Sequence, residues 1–482
     1  MAGVLIIYTG GTIGSVRTYP NDPESPLKPA DTDELLNHLP EIRDGSLYLE
    51  GKRVPVDILA LQEYIDSSLI TPAHWVELAT LIEEHYHEYA GFVILHGTDT
   101  MAYTASALAF MFDHLNKPVI LTGSQRPISA TRSDAAQNVI TAIEIAAAEI
   151  LGNVVVPEVC IYFHETLLRG CRATKYDADG YTGFTSPNYP PLGAAGSKIE
   201  IFEEQIRHPD HHALQVRKAF DDGVAVLELT PLMNSRLFRT VMETEGLNGV
   251  VLESYGAGNA PKGEFLDIVR DAHQRGVRMV AVTQCHAGTV RLGQYDVSTG
   301  LLENGVISGM DMTPEAAQTK LALLLADNSS LYPAEEMMQV NLRGEMDESL
   351  FDLKFGPGEA CPEASCVSAA SIPAARYFDT NRIRRATLRL TGIRTEADVD
   401  EAVVLRIYLN RKLGGVTDPA SGCAGEGTLP SVEGERGKSL YIDVTEIVLQ
   451  HLEEMKKNTV TVSSIHGQKV SWASMHLAIF TG

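Results

Sequence analysis

Residues 4–14, Val-Leu-Ile-Ile-Tyr-Thr-Gly-Gly-Thr-Ile-Gly, constrain the fold more than any other stretch of the chain. The apolar run from Val4 to Tyr8 gives neither face to water, which predicts a fully buried strand of a parallel sheet. It breaks into Thr9-Gly10-Gly11-Thr12. Glycines just past a strand permit a tight turn and leave backbone N–H groups free to face a small polar or anionic ligand. In an open α/β sheet, ligands bind beyond the carboxyl ends of strands, so Thr12 is a candidate nucleophile. The loop lacks Gly-x-Gly-x-x-Gly spacing and a clear acidic partner about 20 residues on, which argues against dinucleotide binding.

The same pattern repeats. Gly91–Leu95 reads as a buried strand ending in His96-Gly97-Thr98-Asp99-Thr100-Met101, and Pro118–Leu121 as a strand ending in Thr122-Gly123-Ser124-Gln125-Arg126-Pro127. Val159–His164 is another, placed before Arg169-Gly170-Cys171-Arg172-Ala173-Thr174-Lys175. Helices separate them: 33–39 with Asp31 or Thr32 as cap, 71–89 with Thr71 as N-cap and Pro72 at the first position, 103–112 and 133–149. Strand, polar loop, helix, strand is a parallel α/β sheet, here spanning 1–190. A connection follows over 191–223. A smaller α/β set occupies 224–346, with strands at 224–229, 249–252, 277–283 and 306–308 and helices at 262–275 and 313–326. Residues 15–32, rich in Pro, Asp, Ser and Thr, read as a flexible segment over the first loop.

Residues 347–371 lack periodicity and read as a linker. Beyond it, 386–390, 403–409, 459–462 and 472–480 alternate with period two, and 441–448 is taken into the same texture. The expectation for 372–482 is an all-β domain, sandwich- or jelly-roll-like.

Composition bears on function only by exclusion. A net charge of −24 over 482 residues, without clustered Lys and Arg, argues against nucleic-acid binding. No apolar run approaches the roughly 20 residues of a membrane helix. Six cysteines are too sparse for a disulfide framework, and Cys361 and Cys366 are spaced more loosely than a zinc knuckle with no His or Cys partners nearby, so no metal site is expected. With no signal-peptide pattern at the N-terminus, the expected location is the reducing cytoplasm.

Four strand ends in the first domain deliver chemistry: Thr12, Ser67 with Ser68, Thr98 with Asp99, and Lys175. A threonine hydroxyl needs a partner that removes its proton. Lys175 can do this through Thr98 only as the neutral amine. Bringing a lysine from about 10.4 to near 7 takes roughly 4–5 kcal/mol of desolvation or neighbouring positive charge. A nearby carboxylate opposes that shift, so Asp99 is expected to point at the substrate and away from Lys175.

These motifs resemble the bacterial-type L-asparaginases, most closely the cytoplasmic type I branch. The resemblance rests on Thr9-Gly10-Gly11-Thr12-Ile13-Gly14 and His96-Gly97-Thr98-Asp99-Thr100-Met101. It is joined by Asp66-Ser67-Ser68, Leu121–Pro127, Leu168-Arg169-Gly170 with Lys175, and Tyr255–Pro261, and covers about 2–346. It implies two Rossmann-like α/β domains and cofactor-free hydrolysis of asparagine to aspartate and ammonia, with Thr12 as the nucleophile. Thr98, Asp99 and Lys175 are implied as the second catalytic group. Gly11, Asp66, Ser67, Ser68, Asp99 and Ser124 are implied as substrate-binding, Asp99 taking the α-ammonium and the serines the α-carboxylate. Backbone N–H groups around Gly11 and Thr98 are expected to stabilise the oxyanion. Tyr19 is the only tyrosine in the lid and is assigned to assist the nucleophile. Leu69 stands where relatives usually carry Asp or Asn. The resemblance further implies a homodimer or homotetramer and a regulatory asparagine site involving Thr174 and Cys285. Competing readings are a glutaminase-asparaginase, a lysophospholipase-like relative or an amidotransferase subunit on the same core, or an assembly protein working through its β domain.

Overall fold

The computed structural model describes residues 3–19, 25–209, 212–293, 296–327, 333–355, 358–360, 365–371, 383–391, 394–395, 403–409, 425–429, 440–451, 457–464, 470–472 and 474–481. The chain divides into two compact units, Met1–Ser330 with Leu342–Met346, and Leu331–Asn341 with Asp347–Gly482.

The first unit is organised on a nine-stranded sheet. In chain order its strands are β1 (Gly3–Gly10), β2 (Ser46–Leu49), β3 (Lys52–Ile65), β4 (Tyr89–Leu95), β5 (Val119–Thr122), β6 (Val159–Phe163), β7 (Thr166–Arg169), β8 (Gly193–Ala195) and β9 (Ile199–Ile201). Their lateral order is β9-β8-β7-β6-β5-β4-β1-β3-β2. The central pairs β3/β1, β1/β4, β4/β5 and β5/β6 are parallel, and the flanking pairs are antiparallel. All eight positions of β1 are buried, as expected of a strand covered on both faces. The chain leaves β1, pairs β3 on one side, then crosses to place β4 on the other. That reversal between β1 and β4 is the topological switch point, where open sheets form their ligand crevice.

Helices α1 (Thr32–Asn37), α2 (Pro72–His85), α3 (Met101–Met111), α4 (Ala135–Ala146) and α5 (Ala148–Leu151) join these strands. Asp31 caps α1 by accepting from the Glu34 N–H, and Thr71 with Pro72 opens α2. Buried on nearly every side, α3 packs against a helix of the second α/β lobe. That lobe has four parallel strands in sequential order, β10 (Val224–Glu228), β11 (Gly249–Ser254), β12 (Arg278–Thr283) and β13 (Ile307–Ser308). Its helices are α6 (Ser235–Met242), α7 (Glu264–Gln274), α8 (Asp296–Glu303) and α9 (Pro314–Ala326), the last being the partner of α3. Buried ion pairs fasten this unit internally: Arg172 with Asp311 at 2.5 Å, and Lys320 with Glu345 at 2.6 Å.

The second unit is antiparallel. One four-stranded sheet runs Ser349–Phe355, Ser474–Thr481, Ile383–Thr391, Leu440–Asp443; another runs Ser365–Ser371, Lys457–Ser464, Val403–Leu409, Gly425–Leu429. Ala386, Leu388 and Leu390 are buried opposite Ile479, Leu477 and Met475, so the period-two pattern faces one core.

Several expectations need correction. Residues 191–223 are not wholly a connection, because β8 and β9 extend the first sheet. The stretch 347–371, expected as a linker, carries strands Ser349–Phe355, Gly358–Ala360 and Ser365–Ser371; the first alternates at Phe351, Leu353 and Phe355, and its ladder partner lies far along the chain. Segment 15–32 contains a small hairpin, Ser15–Arg17 against Leu27–Pro29, while 20–24 of the expected lid lie outside the described residues. Helix α2 ends at His85 rather than 89, since β4 begins at Tyr89. Residues 445–451 form a helix, Thr445–His451, inside the expected all-β domain. Of the cysteines, Cys361 and Cys423 lie outside the described residues.

Candidate active site

The crevice is built by contact between glycine backbones. Gly11 has φ +80° and ψ −179°, a conformation open essentially to glycine alone. A Cβ there would meet Gly97 N at 2.5 Å. A Cβ on Gly97 would meet Ser67 Oγ at 2.5 Å and Gly11 Cα at 3.4 Å. The loops after β1 and β4 therefore meet at backbone distance, with the Ser67 side chain against Gly97, and Thr12 and Thr98 are the next residues along from the two glycines in contact. Thr100 Oγ1 donates to Ser67 O at 2.7 Å and fastens the loops after β3 and β4. Gly11→Ala should cost about 1–3 kcal/mol of stability from strain alone and separate the loops. The expected outcome is a thermal midpoint several degrees lower, checked by calorimetry.

Thr12 opens a short 3₁₀ turn, Thr12–Gly14, and is half-buried. Among the described residues no hydrogen bond engages its hydroxyl. Across the crevice, Lys175 Nζ donates to Thr98 Oγ1 at 2.9 Å. Lys175 lies on the short strand Thr174–Lys175, and the following loop is held by Gln125 Nε2, which donates to Asp177 O and Gly180 O. Lys175 Nζ also donates to Asp99 Oδ1 at 2.6 Å. This corrects the expectation that Asp99 turns away from the lysine. Its side chain is 63 % exposed, so the carboxylate reaches the ammonium while keeping a face toward solvent.

Ser67 is buried, its hydroxyl against Gly97. Ser68 commits both N–H and Oγ–H to Asp66 Oδ1, at 2.9 and 2.7 Å. Asp66 is thus a cap for the turn Ser67–Leu69, and these bonds hold its carboxyl below the usual range. Ser124 is buried and donates to Arg126 O at 2.6 Å, so its proton serves its own loop. The Tyr19 ring is 65 % exposed, and among the described residues no hydrogen bond or ring contact joins it to Thr12. Leu69 is exposed as well. Thr174 Oγ1 donates to Glu315 Oε1 at 2.7 Å, linking the lysine strand to α9, and Cys285 is exposed.

Sequence reading missed two groups. Glu315 is buried, and burial raises its pKa. His96 is fully buried inside the second signature. The sequence signal for His96 was a polar ring directly after the apolar run Phe92–Leu95; Glu315, in a polar helix start, carried none. Among the described residues no cluster of His, Cys, Asp and Glu suits a metal ion, and no helix is long and apolar enough to cross a membrane.

Comparison with known proteins adds to this geometry. The family model described as asparaginase, N-terminal, matches residues 3–207, and that of the glutaminase/asparaginase C-terminal domain matches 223–338. L-asparaginase 1 of Escherichia coli K12 is 39 % identical over 347 residues, covering 71 % of this chain and 97 % of that protein. The 60 kDa lysophospholipase of Homo sapiens is 39 % identical over 364 residues, covering 71 % of this chain and 61 % of its own length. The crystal structure of L-asparaginase I from Vibrio cholerae superposes with a TM-score of 0.63 at 38 % identity, covering 72 % of this chain and 99 % of that one.

Proposed function

Because the chain belongs to the asparaginase family of amidohydrolases, we propose that it hydrolyses L-asparagine to L-aspartate and ammonia with Thr12 as the nucleophile. The observation that supports this reading is the close contact of Gly11, which precedes Thr12, with Gly97, which precedes the Thr98 that accepts from Lys175 at 2.9 Å. Thr12 Oγ attacks the side-chain amide carbon, its proton passes to the leaving nitrogen, and ammonia departs. A water then opens the resulting ester with Thr98 and Lys175 managing the proton, regenerating Thr12. The Thr98 N–H is a fitting oxyanion donor: among the described residues it has no acceptor.

Asp99 takes the substrate α-ammonium in this reading, its exposed face supporting the assignment. Ser67 is the better placed of the serines for the α-carboxylate, because Ser68 is committed to Asp66. The regulatory role of Thr174 and Cys285 and the homodimer or homotetramer rest on family resemblance. A reducing location is supported by free thiols at Cys160, Cys171 and Cys285.

Ammonia release measured side by side on asparagine and glutamine tests the substrate; equal or greater efficiency on glutamine replaces this reading with the glutaminase one. Within the same assay Asp99→Asn should raise KM for asparagine about 10–100-fold, the worth of a charged hydrogen bond. An unchanged KM removes Asp99 from the ammonium role. The human lysophospholipase relative gives a second reading, for which lysophospholipid hydrolysis is the added arm.

A further inference from the structure

His96 is fully buried and makes two hydrogen bonds through its ring. Nδ1 lies 2.6 Å from Gly97 O, and Nε2 lies 3.0 Å from Thr104 Oγ1. Trp75 Nε1, on α2, donates to the same Thr104 Oγ1 at 3.0 Å. Hydrogen-bond arithmetic settles the direction of this chain. A carbonyl oxygen only accepts, so Nδ1 carries the proton. Burial brings the imidazole pKa down to about 4, so the ring is neutral and Nε2 is bare. Thr104 therefore donates its hydroxyl proton to Nε2, while its oxygen accepts from Trp75. Each link has one donor and one acceptor, running from Trp75 through Thr104 and His96 to Gly97 O.

The Gly97–Thr98 peptide is trans, so its N–H points opposite to the carbonyl that His96 grips. His96 holds that carbonyl on the buried side, and the opposed Thr98 N–H, which has no acceptor among the described residues, is left to face the crevice where Gly11 packs against Gly97. We propose that neutral His96 is a positioning residue that holds the Gly97–Thr98 peptide so that the Thr98 N–H meets the oxygen where negative charge develops. This rests on the hydrolytic reading above. The tautomer matters: with the proton on Nε2, a bare Nδ1 would face Gly97 O, lone pair against lone pair, and the peptide would turn.

Two variants of similar polarity separate this from a merely structural role. In His96→Asn the amide nitrogen stands near the place of Nδ1 and can still donate to Gly97 O. In His96→Gln it stands near Nε2 and leaves that carbonyl without its donor. Removing an oxyanion donor outright costs about 10²–10³ in kcat, so misaiming one through Gln is expected to lower kcat on asparagine about 10–100-fold with KM within about 3-fold. The Asn variant should retain kcat within about 5-fold. Equal kcat losses in the two, or a loss confined to KM, overturns the proposal. If either fails to accumulate as folded protein, Thr104→Val against Thr104→Ser asks the same question, with about a 10-fold kcat loss expected for Val alone and equal rates overturning. Independently of turnover, the ¹⁵N spectrum of histidine-labelled wild-type protein should show one imidazole protonated at Nδ1 and bare at Nε2 throughout the neutral range; the opposite tautomer overturns the proposal. Failure of the hydrolytic reading itself is distinguishable, as absence of ammonia release by the wild type.

Discussion

Thr12→Ala is expected to lower kcat on asparagine by on the order of 10⁴–10⁶ while leaving the thermal midpoint nearly unchanged. Loss of a nucleophile removes a covalent route that no other group supplies, and in a comparable hydrolase it costs about 10⁶. What survives comes from the oxyanion donor and substrate binding, which act without the nucleophile. Stability should move by less than about 0.5 kcal/mol, because Thr12 is half-buried and no hydrogen bond within the described residues engages its hydroxyl. Ammonia release and differential scanning calorimetry on one preparation check both halves. Turnover within ten-fold of wild type would remove Thr12 from the nucleophile's place, whatever the fate of the other assignments.

The largest expected effect on stability lies elsewhere, at Glu345. Its carboxylate and the Lys320 ammonium are both fully buried, 2.6 Å apart, and the carboxylate also accepts from the Leu342 and Arg343 N–H groups. Burial alone would raise its pKa, but Lys320 and those backbone donors outweigh it and hold the group down at about 2. Burial pushes Lys320 down while Glu345 pulls it back; the carboxylate direction is the firmer, because three donors converge on it. Glu345→Ala removes the carboxylate that faces a buried cation and leaves the Leu342 and Arg343 N–H groups without that acceptor, and should cost about 3–5 kcal/mol. The thermal midpoint of the first unit should fall by at least about 5 °C. Pairing the change with Lys320→Met should recover a large part of the loss, since a buried pair replaced by apolar groups is often neutral. The pH dependence has a definite sign. The folded-state pKa is depressed, so the contribution is complete above the unfolded value near 4.5 and fades as pH falls toward 2. Acid unfolding of wild type should therefore steepen in that window and that of Glu345→Ala should not.

The sequence made the frame legible wherever a local signal coincided with the global one. Val4–Tyr8 is apolar because both its faces are covered, Thr71-Pro72 opens α2, and Thr313 caps α9 ahead of Pro314. The strand ends carrying Thr12, Ser67 and Thr98 could be located because glycines and hydroxyls follow apolar runs. What stayed hidden depends on partners distant in sequence. Ser349–Phe355 alternates only over Phe351–Phe355, a signal submerged by the Gly-, Pro- and Ser-containing stretch that follows, and is held by Ser474–Thr481. The short helix Ser235–Met242 begins at Asn234, whose side chain accepts from Leu237 N; at two turns it is too short for the apolar positions Leu237, Phe238, Val241 and Met242 to stand out. The pairing of Asp99 with Lys175 spans 76 positions and follows from the way two loops fold over one crevice, which no spacing rule anticipates. Lys320 and Glu345 are 25 residues apart, and each alone looks like an ordinary surface charge.

If Asp99 takes the substrate ammonium as proposed, its contact with Lys175 also decides what kind of visitor the crevice welcomes. The two groups neutralise one another, and an ion pair with one partner this exposed is worth only about 0–1 kcal/mol. A guest bearing its own ammonium can trade places with the lysine at almost no expense, satisfying the acid and freeing the amine in a single exchange. A neutral amide brings nothing to trade, and so leaves the lock turned.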